Sequence, residues 1–288
     1  MTLIDAIEDD QEIFICDISP PRGSEVGHPV DSLESVSMIK ADYYAVAYNP
    51  GLAVRTNSIV YASFIKKYLE RDVIAFISPR DMNRLALQSM LLGATILEVN
   101  NMVVVHGESI PSRSNMKFSN VWDYSASGLI KDINKMNSSL DFNNRTLTTG
   151  NKFIVGSTIE VNDDFSVYCS LVKKKIDVGT HFFITQPFFD SRVLDAINNC
   201  LETVSPHGIK PVVYYGIYIL GRNSNIFGRV PANIRGQLNS GTDGVDLAIE
   251  QISDLMQRGI HRFYVMPPIY SGGFRDYESA SKVINSFK

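Results

Sequence analysis

Eight short apolar runs, each separated from the next by a longer amphipathic stretch, constrain this chain more than any other feature of its sequence. The runs are Ile13–Ile18, Tyr43–Ala47, Val73–Ile77, Met102–Val105, Phe153–Val155, His181–Thr185, Val212–Ile217 and Arg262–Val265. They are rich in Val, Ile, Phe and Tyr and several carry no charged residue, so they read as strands buried on both faces. Ser58–Leu69, Arg80–Gly93, Leu129–Met136, Phe165–Val178, Val193–Leu201, Gly244–Met256 and Tyr277–Phe287 read as helices, with Gly93 expected where a helix would be capped. Such alternation over 288 residues predicts an α/β fold of the (β/α)8 TIM-barrel class, one barrel spanning residues 1–288. No Gly-x-Gly-x-x-Gly follows the first run, so an open dinucleotide-binding sheet lacks its fingerprint. Gly107–Ser127 and Tyr218–Thr242 are long for connections and read as lids or binding loops.

Charge and cysteine usage narrow the function classes. The chain has 27 basic and 31 acidic residues, a net charge of −4, and no basic stripe, which speaks against nucleic acid. Its longest apolar runs, such as "PVVYYGIYIL", are half of the roughly twenty residues a membrane span needs. The N-terminus "MTLIDAIEDDQ" has no basic n-region, so a cytoplasmic protein is expected. Cys16, Cys169 and Cys200 are widely spaced and odd in number; they read as buried small hydrophobes in a reducing compartment.

In a barrel of this class the groups at the carboxyl ends of the strands line the active-site mouth. Asp17 ends the first run, in "ICDISPPRG", and reads as a general acid or ligand contact, or as a carboxylate holding backbone N–H groups near Pro20–Pro21. Tyr48 and Asn49 follow the second run, Ser78 the third, His106 and Glu108 the fourth, Glu160 the fifth, Gln186 the sixth and Tyr218 the seventh. Glu108 can accept two hydrogen bonds from a polar heterocycle, or stabilise its own loop. Gln186 carries an amide that must find partners. His106 offers a proton donor, a stacking face or a metal ligand. Five histidines without His-x-His or His-Glu-x-x-His spacing leave a metal hydrolase using His106, Glu108 and Asp17 weakly supported, and no metal is expected.

Several stretches resemble the methylenetetrahydrofolate reductase family. "ICDISPPRG" is similar to a first strand ending in Glu and followed by two prolines. "SPRDMNRLALQSMLLGA" resembles the family's third helix segment, and "VVVHGES" stands where the family has Arg-Gly-Asp. "KKKIDVGTHFFITQPFFD" resembles its K-x-DAGA…ITQ…FFD stretch, and "AIEQISDLMQRGIHRFYVM" its last helix and strand. The resemblance implies an eight-stranded barrel that reduces 5,10-methylenetetrahydrofolate to 5-methyltetrahydrofolate, with hydride from FAD or directly from NADH or NADPH. It implies Asp17 as the general acid that protonates the bridging nitrogen, and Glu108, Gln186 and Tyr48 as folate contacts. It implies Ala47, His106, Gly107, Tyr124, Thr158, Tyr168 and Lys175 on the cofactor side, with Lys175 at a flavin phosphate. Family members are often homo-oligomers. Asp replaces Glu at the acid, and Ala47, Phe76, His106, Thr158 and Tyr168 replace family residues on the flavin side. These departures favour folate binding over flavin binding. They also raise an alternative: a folate- or pterin-binding barrel without reductase activity, serving as a methyltransferase component or one-carbon carrier.

Overall fold

The structure, a computed structural model, describes residues 3, 12–24, 33–108, 117–160, 164–205, 211–226 and 230–288. Most of the N-terminal segment and parts of both long loops (residues 109–116 and 227–229) lie outside the described residues. The strands are β1 (Ile13–Ile18), β2 (Tyr43–Val46), β3 (Val73–Ile77), β4 (Asn101–Val104), β5 (Ile154–Ile159), β6 (Phe182–Thr185), β7 (Val212–Tyr218) and β8 (Arg262–Met266). All neighbours pair in parallel and β1 pairs with β8, closing the barrel. The fold is the (β/α)8 barrel expected from the alternation.

Among the described residues the helices are α1 (Leu33–Ser37), α2 (Ser58–Leu69), α3 (Arg84–Ile96), α4 (Ala126–Asn137), α5 (Phe165–Asp177), α6 (Ser191–Val204), α7 (Ala232–Asn239), α8 (Gly244–Gln257) and α9 (Tyr277–Asn285). Most begin with a side-chain cap that satisfies a free backbone donor. Asn57 accepts from Ile59 N at 2.9 Å, Asn83 from Ala86 N at 2.9 Å, Ser125 from Gly128 N at 3.1 Å and Asp164 from Val167 N at 3.1 Å.

Two apolar layers result. Ile13, Ile15, Tyr43, Ala45, Ile74, Phe76, Val103, Phe182, Ile184, Tyr214 and Tyr264 fill the barrel interior. Alternate strand residues, such as Phe14, Cys16, Tyr44 and Val104, pack outward against the helices. Gly156 makes room inside: a Cβ there would lie 2.6 Å from Phe182 Cε2.

Three local expectations change. Gly93 lies inside α3, which runs on to Ile96; Leu97 N still donates to Gly93 O at 3.0 Å. The helix continues because Ala94 is fully buried, and Glu98 takes the left-handed turn at φ 58°. Strand β5 extends four residues beyond Val155. The Tyr218–Thr242 connection holds a helix, α7, whose residues are partly or wholly exposed and so lack a buried stripe.

Candidate functional site

Asp17, the last residue but one of β1, has both carboxylate oxygens engaged. Tyr264 of β8 donates its hydroxyl to Oδ1 at 2.7 Å, and Arg275 Nε donates to Oδ2 at 2.7 Å. The Asp17 and Arg275 side chains are only 3% and 4% exposed. Burial pulls Arg275 down, but the charge and hydrogen bond of Asp17 together with the Tyr277 and Tyr264 hydroxyls outweigh it and hold the guanidinium above its ordinary value. Arg275 arrives on the segment after β8, which folds back through an Ile269–Arg275 bridge. Tyr277 reinforces the joint, its hydroxyl accepting from Ser19 N at 3.0 Å. Burial first, and then the charge of Asp17, push the Tyr264 hydroxyl well above its ordinary value, so it remains a donor.

The adjoining side of the mouth is built by the loops after β2, β3 and β4. Arg80 is 3% exposed and forks onto Asp81, Nε to Oδ1 at 2.6 Å and Nη2 to Oδ2 at 2.7 Å. Its Nη1 donates to Glu108 O at 3.1 Å, and its own carbonyl accepts from Val121 N at 2.7 Å. Glu108 is exposed, and its Oε1 accepts from Gly51 N at 3.1 Å. Tyr48 is half-buried; burial first, then the charge and hydrogen bond of Asp81, raise its hydroxyl well above the ordinary value. Gly107, at φ 94°, passes so close to Ser78 and Arg80 that a Cβ would lie 3.1 Å from Arg80 Cβ. His106 stacks on Trp122 with ring centroids 4.6 Å apart and an angle of 21°. Arg80, Asp81, Asn49, Leu52 and Phe118 border a cavity of about 300 Å³ beside this cluster.

The residues expected at the site therefore divide. Asp17, Ala47, Tyr48, His106, Gly107, Glu108, Thr158 and Gln186 stand at or just beyond the carboxyl ends of their strands, and Gln186 is exposed. Tyr124 and Tyr168 do not join them. Tyr124 precedes the Ser125 cap of α4, is 4% exposed, and donates its hydroxyl to Asp132 at 2.7 Å in the helical layer. Tyr168 is 1% exposed within α5, packed beside Cys200. Both are drawn outward because their rings fill the space between strands and helices. Lys175 reaches from α5 to the strand end, where Nζ donates to Thr158 O at 2.6 Å. Burial pulls its ammonium down to about 8, against the opposing charge of Glu160.

Of the residues expected on the cofactor side, Lys175 meets Thr158 at a strand end, whereas Tyr124 and Tyr168 face the helical layer. Sequence reasoning passed over Arg275, Tyr264 and Asp81 as site groups. The one available signal was the Arg-Asp pair in "ISPRD", directly after the third apolar run. Among the described residues no group of three or more His, Cys, Asp and Glu could hold a metal ion. No described helix is long and apolar enough to cross a membrane. All three cysteines are buried and unpaired with one another.

No curated protein matches this sequence. Among solved structures, the chain is similar to an uncharacterized protein from Clostridium thermocellum described as binding two copies of 5-methyl-5,6,7,8-tetrahydrofolic acid. The two share 13% identity over 99% of each chain with a TM-score of 0.69, a likeness of fold. A profile of the methylenetetrahydrofolate reductase family matches residues 2–267. A match over nearly the whole chain, on a closed barrel whose strand ends carry Asp17, Glu108 and Gln186, means that this chain belongs to the methylenetetrahydrofolate reductase family.

Proposed function

We propose that this chain binds a reduced folate at the carboxyl-terminal mouth of the barrel. Glu108 and Gln186 would meet the pterin, and Tyr48 would border it. The observation that carries this reading is an exposed carboxylate and an exposed amide beyond the carboxyl ends of β4 and β6, the strands on either side of β5. A pterin presents two parallel N–H donors that suit a carboxylate, and an adjacent carbonyl that suits an amide. Family membership and the folate described for the Clostridium thermocellum protein support the same ligand class.

Reduction of 5,10-methylenetetrahydrofolate to 5-methyltetrahydrofolate is the second reading, favoured by the family match. It needs a proton at the bridging nitrogen and a hydride at the one-carbon unit. In this reading Asp17 would be the acid, yet both of its oxygens accept hydrogen bonds, one of them from a guanidinium that cannot give up a proton. Proton donation would require Arg275 to move away. A flavin, if bound, would supply the hydride chemistry; the outward turn of Tyr124 and Tyr168 supports NADH or NADPH acting directly as the hydride source in this reading.

The test uses the single tryptophan, Trp122, which stacks on His106 at the mouth. Titration with 5-methyltetrahydrofolate is expected to quench its emission saturably, with weaker binding in Glu108→Gln and Gln186→Ala. No saturable change by fluorescence or calorimetry refutes folate binding. Oxidation of NADH or NADPH with 5,10-methylenetetrahydrofolate, and an absorption spectrum after adding FAD, decide the second reading.

A further inference from the structure

We propose that Arg80 is a positioning residue: its buried guanidinium ties the loops after β3 and β4 directly, reaches the loop after β2 through Asp81 and Glu108, and thereby sets the places of Tyr48 and Glu108. The inference rests on the folate reading for its ligand, but its geometry stands on the structure. The guanidinium joins two loops directly, its own after β3 and the one after β4. The fork onto Asp81 fixes the loop after β3, at 2.6 and 2.7 Å. The remaining Nη1 holds the loop after β4 through Glu108 O at 3.1 Å, and the Arg80 carbonyl holds the same connection farther on through Val121 N at 2.7 Å. Asp81, held in this way, lies beside the Tyr48 hydroxyl, which its charge helps to hold above the ordinary value. Glu108 completes the circuit by accepting from Gly51 N at 3.1 Å, in the loop after β2.

The chemistry of the side chain explains why Arg stands here. A guanidinium offers a planar fork to a carboxylate and keeps a further donor free for a third group. An ammonium is a point charge and cannot hold all three in fixed directions. Gly107 makes the approach feasible, since a Cβ at that position would press on Arg80 Cβ at 3.1 Å. The hydrogen-bond partners of the Arg80 side chain are the Asp81 carboxylate and the Glu108 carbonyl, both in loops of the mouth. Its effect on ligand binding therefore passes through Tyr48 and Glu108.

The experiment measures 5-methyltetrahydrofolate affinity and amide hydrogen exchange in the full chain for Arg80→Met and Arg80→Lys. Each is made alone and in a Tyr48→Phe/Glu108→Gln background. Both single variants are expected to bind about tenfold to a hundredfold more weakly, as outer-shell partners of binding groups do. In the Tyr48→Phe/Glu108→Gln background the same change should cost little, because the groups it positions are already lost. Amides of Gly51 and Val121 should lose protection while amides of the β strands keep theirs. Equal weakening in both backgrounds, full function of Arg80→Lys, or unchanged protection at Gly51 and Val121 would overturn the proposal. Failure of the unaltered protein to bind any reduced folate would refute the folate reading instead; the exchange pattern then decides the clamp by itself.

Discussion

Asp17→Asn is a stability experiment before it is a catalytic one. The substitution leaves Arg275, 4% exposed, as a buried cation whose ion-pair partner at 2.7 Å has become neutral. Breaking a buried pair by removing one partner costs about 3–5 kcal/mol. For a chain of this size that corresponds to a fall in Tm of about 6–10 °C, at about 2 °C per kcal/mol. Arg275→Met should cost less, because the Asp17 left behind can take up a proton, whereas a guanidinium cannot lose one. The double variant Asp17→Asn/Arg275→Met should recover much of the loss, giving a favourable coupling in a double-mutant cycle. Thermal melts by circular dichroism at neutral pH, with denaturant melts for ΔG, provide the measurement. Additive losses, or an Asp17→Asn protein as stable as its parent, would refute the argument that the pair holds the β1–β8 corner together. The consequence for function is direct: lost turnover in Asp17→Asn identifies a lost acid only where the double variant is folded and equally inactive.

Other outcomes follow from the same geometry. Lys175 has its folded value lowered to about 8 from an ordinary 10.5, so between these values the unfolded chain binds more protons and stability rises with pH; denaturant melts from pH 7 to 10.5 should show a rise that Lys175→Met flattens. The native protein should not react with a thiol reagent, and should expose three thiols on unfolding. All three cysteines are buried, and burial, followed by the neighbouring Cys169, pushes the Cys200 thiol up to about 12. Gly156→Ala should cost about 1–3 kcal/mol in a denaturant melt, since its Cβ would overpack the barrel interior against Phe182, 2.6 Å away.

The barrel was legible in the sequence because parallel strands covered on both faces must be apolar throughout, and that signal is local. Ile13–Ile18 and Val73–Ile77 agree with β1 and β3 at both ends for this reason. Strand β5 was under-read because Gly156, Ser157 and Thr158 dilute its hydrophobicity. In three dimensions Gly156 accommodates a Phe182 ring, and Ser157 hides its hydroxyl by donating to Val104 O at 2.9 Å. Gly93 misled as a cap because glycine favours helix ends only on average, while burial of Ala94 carried α3 past it.

The sequence by itself determined which residues stand at strand ends, hence that Asp17, Tyr48, His106, Glu108 and Gln186 share one mouth. Only the tertiary structure decided what each of them can do there. Asp17 is paired by Arg275, 258 positions away in the chain, and Tyr48 and Glu108 are set by a guanidinium from another loop. Tyr124 and Tyr168 turn into the helical layer instead of the mouth. Strand position is a property of local periodicity, which sequence carries. The partner of a buried charge is a property of how loops from distant βα units meet over the closed barrel, which no local pattern encodes.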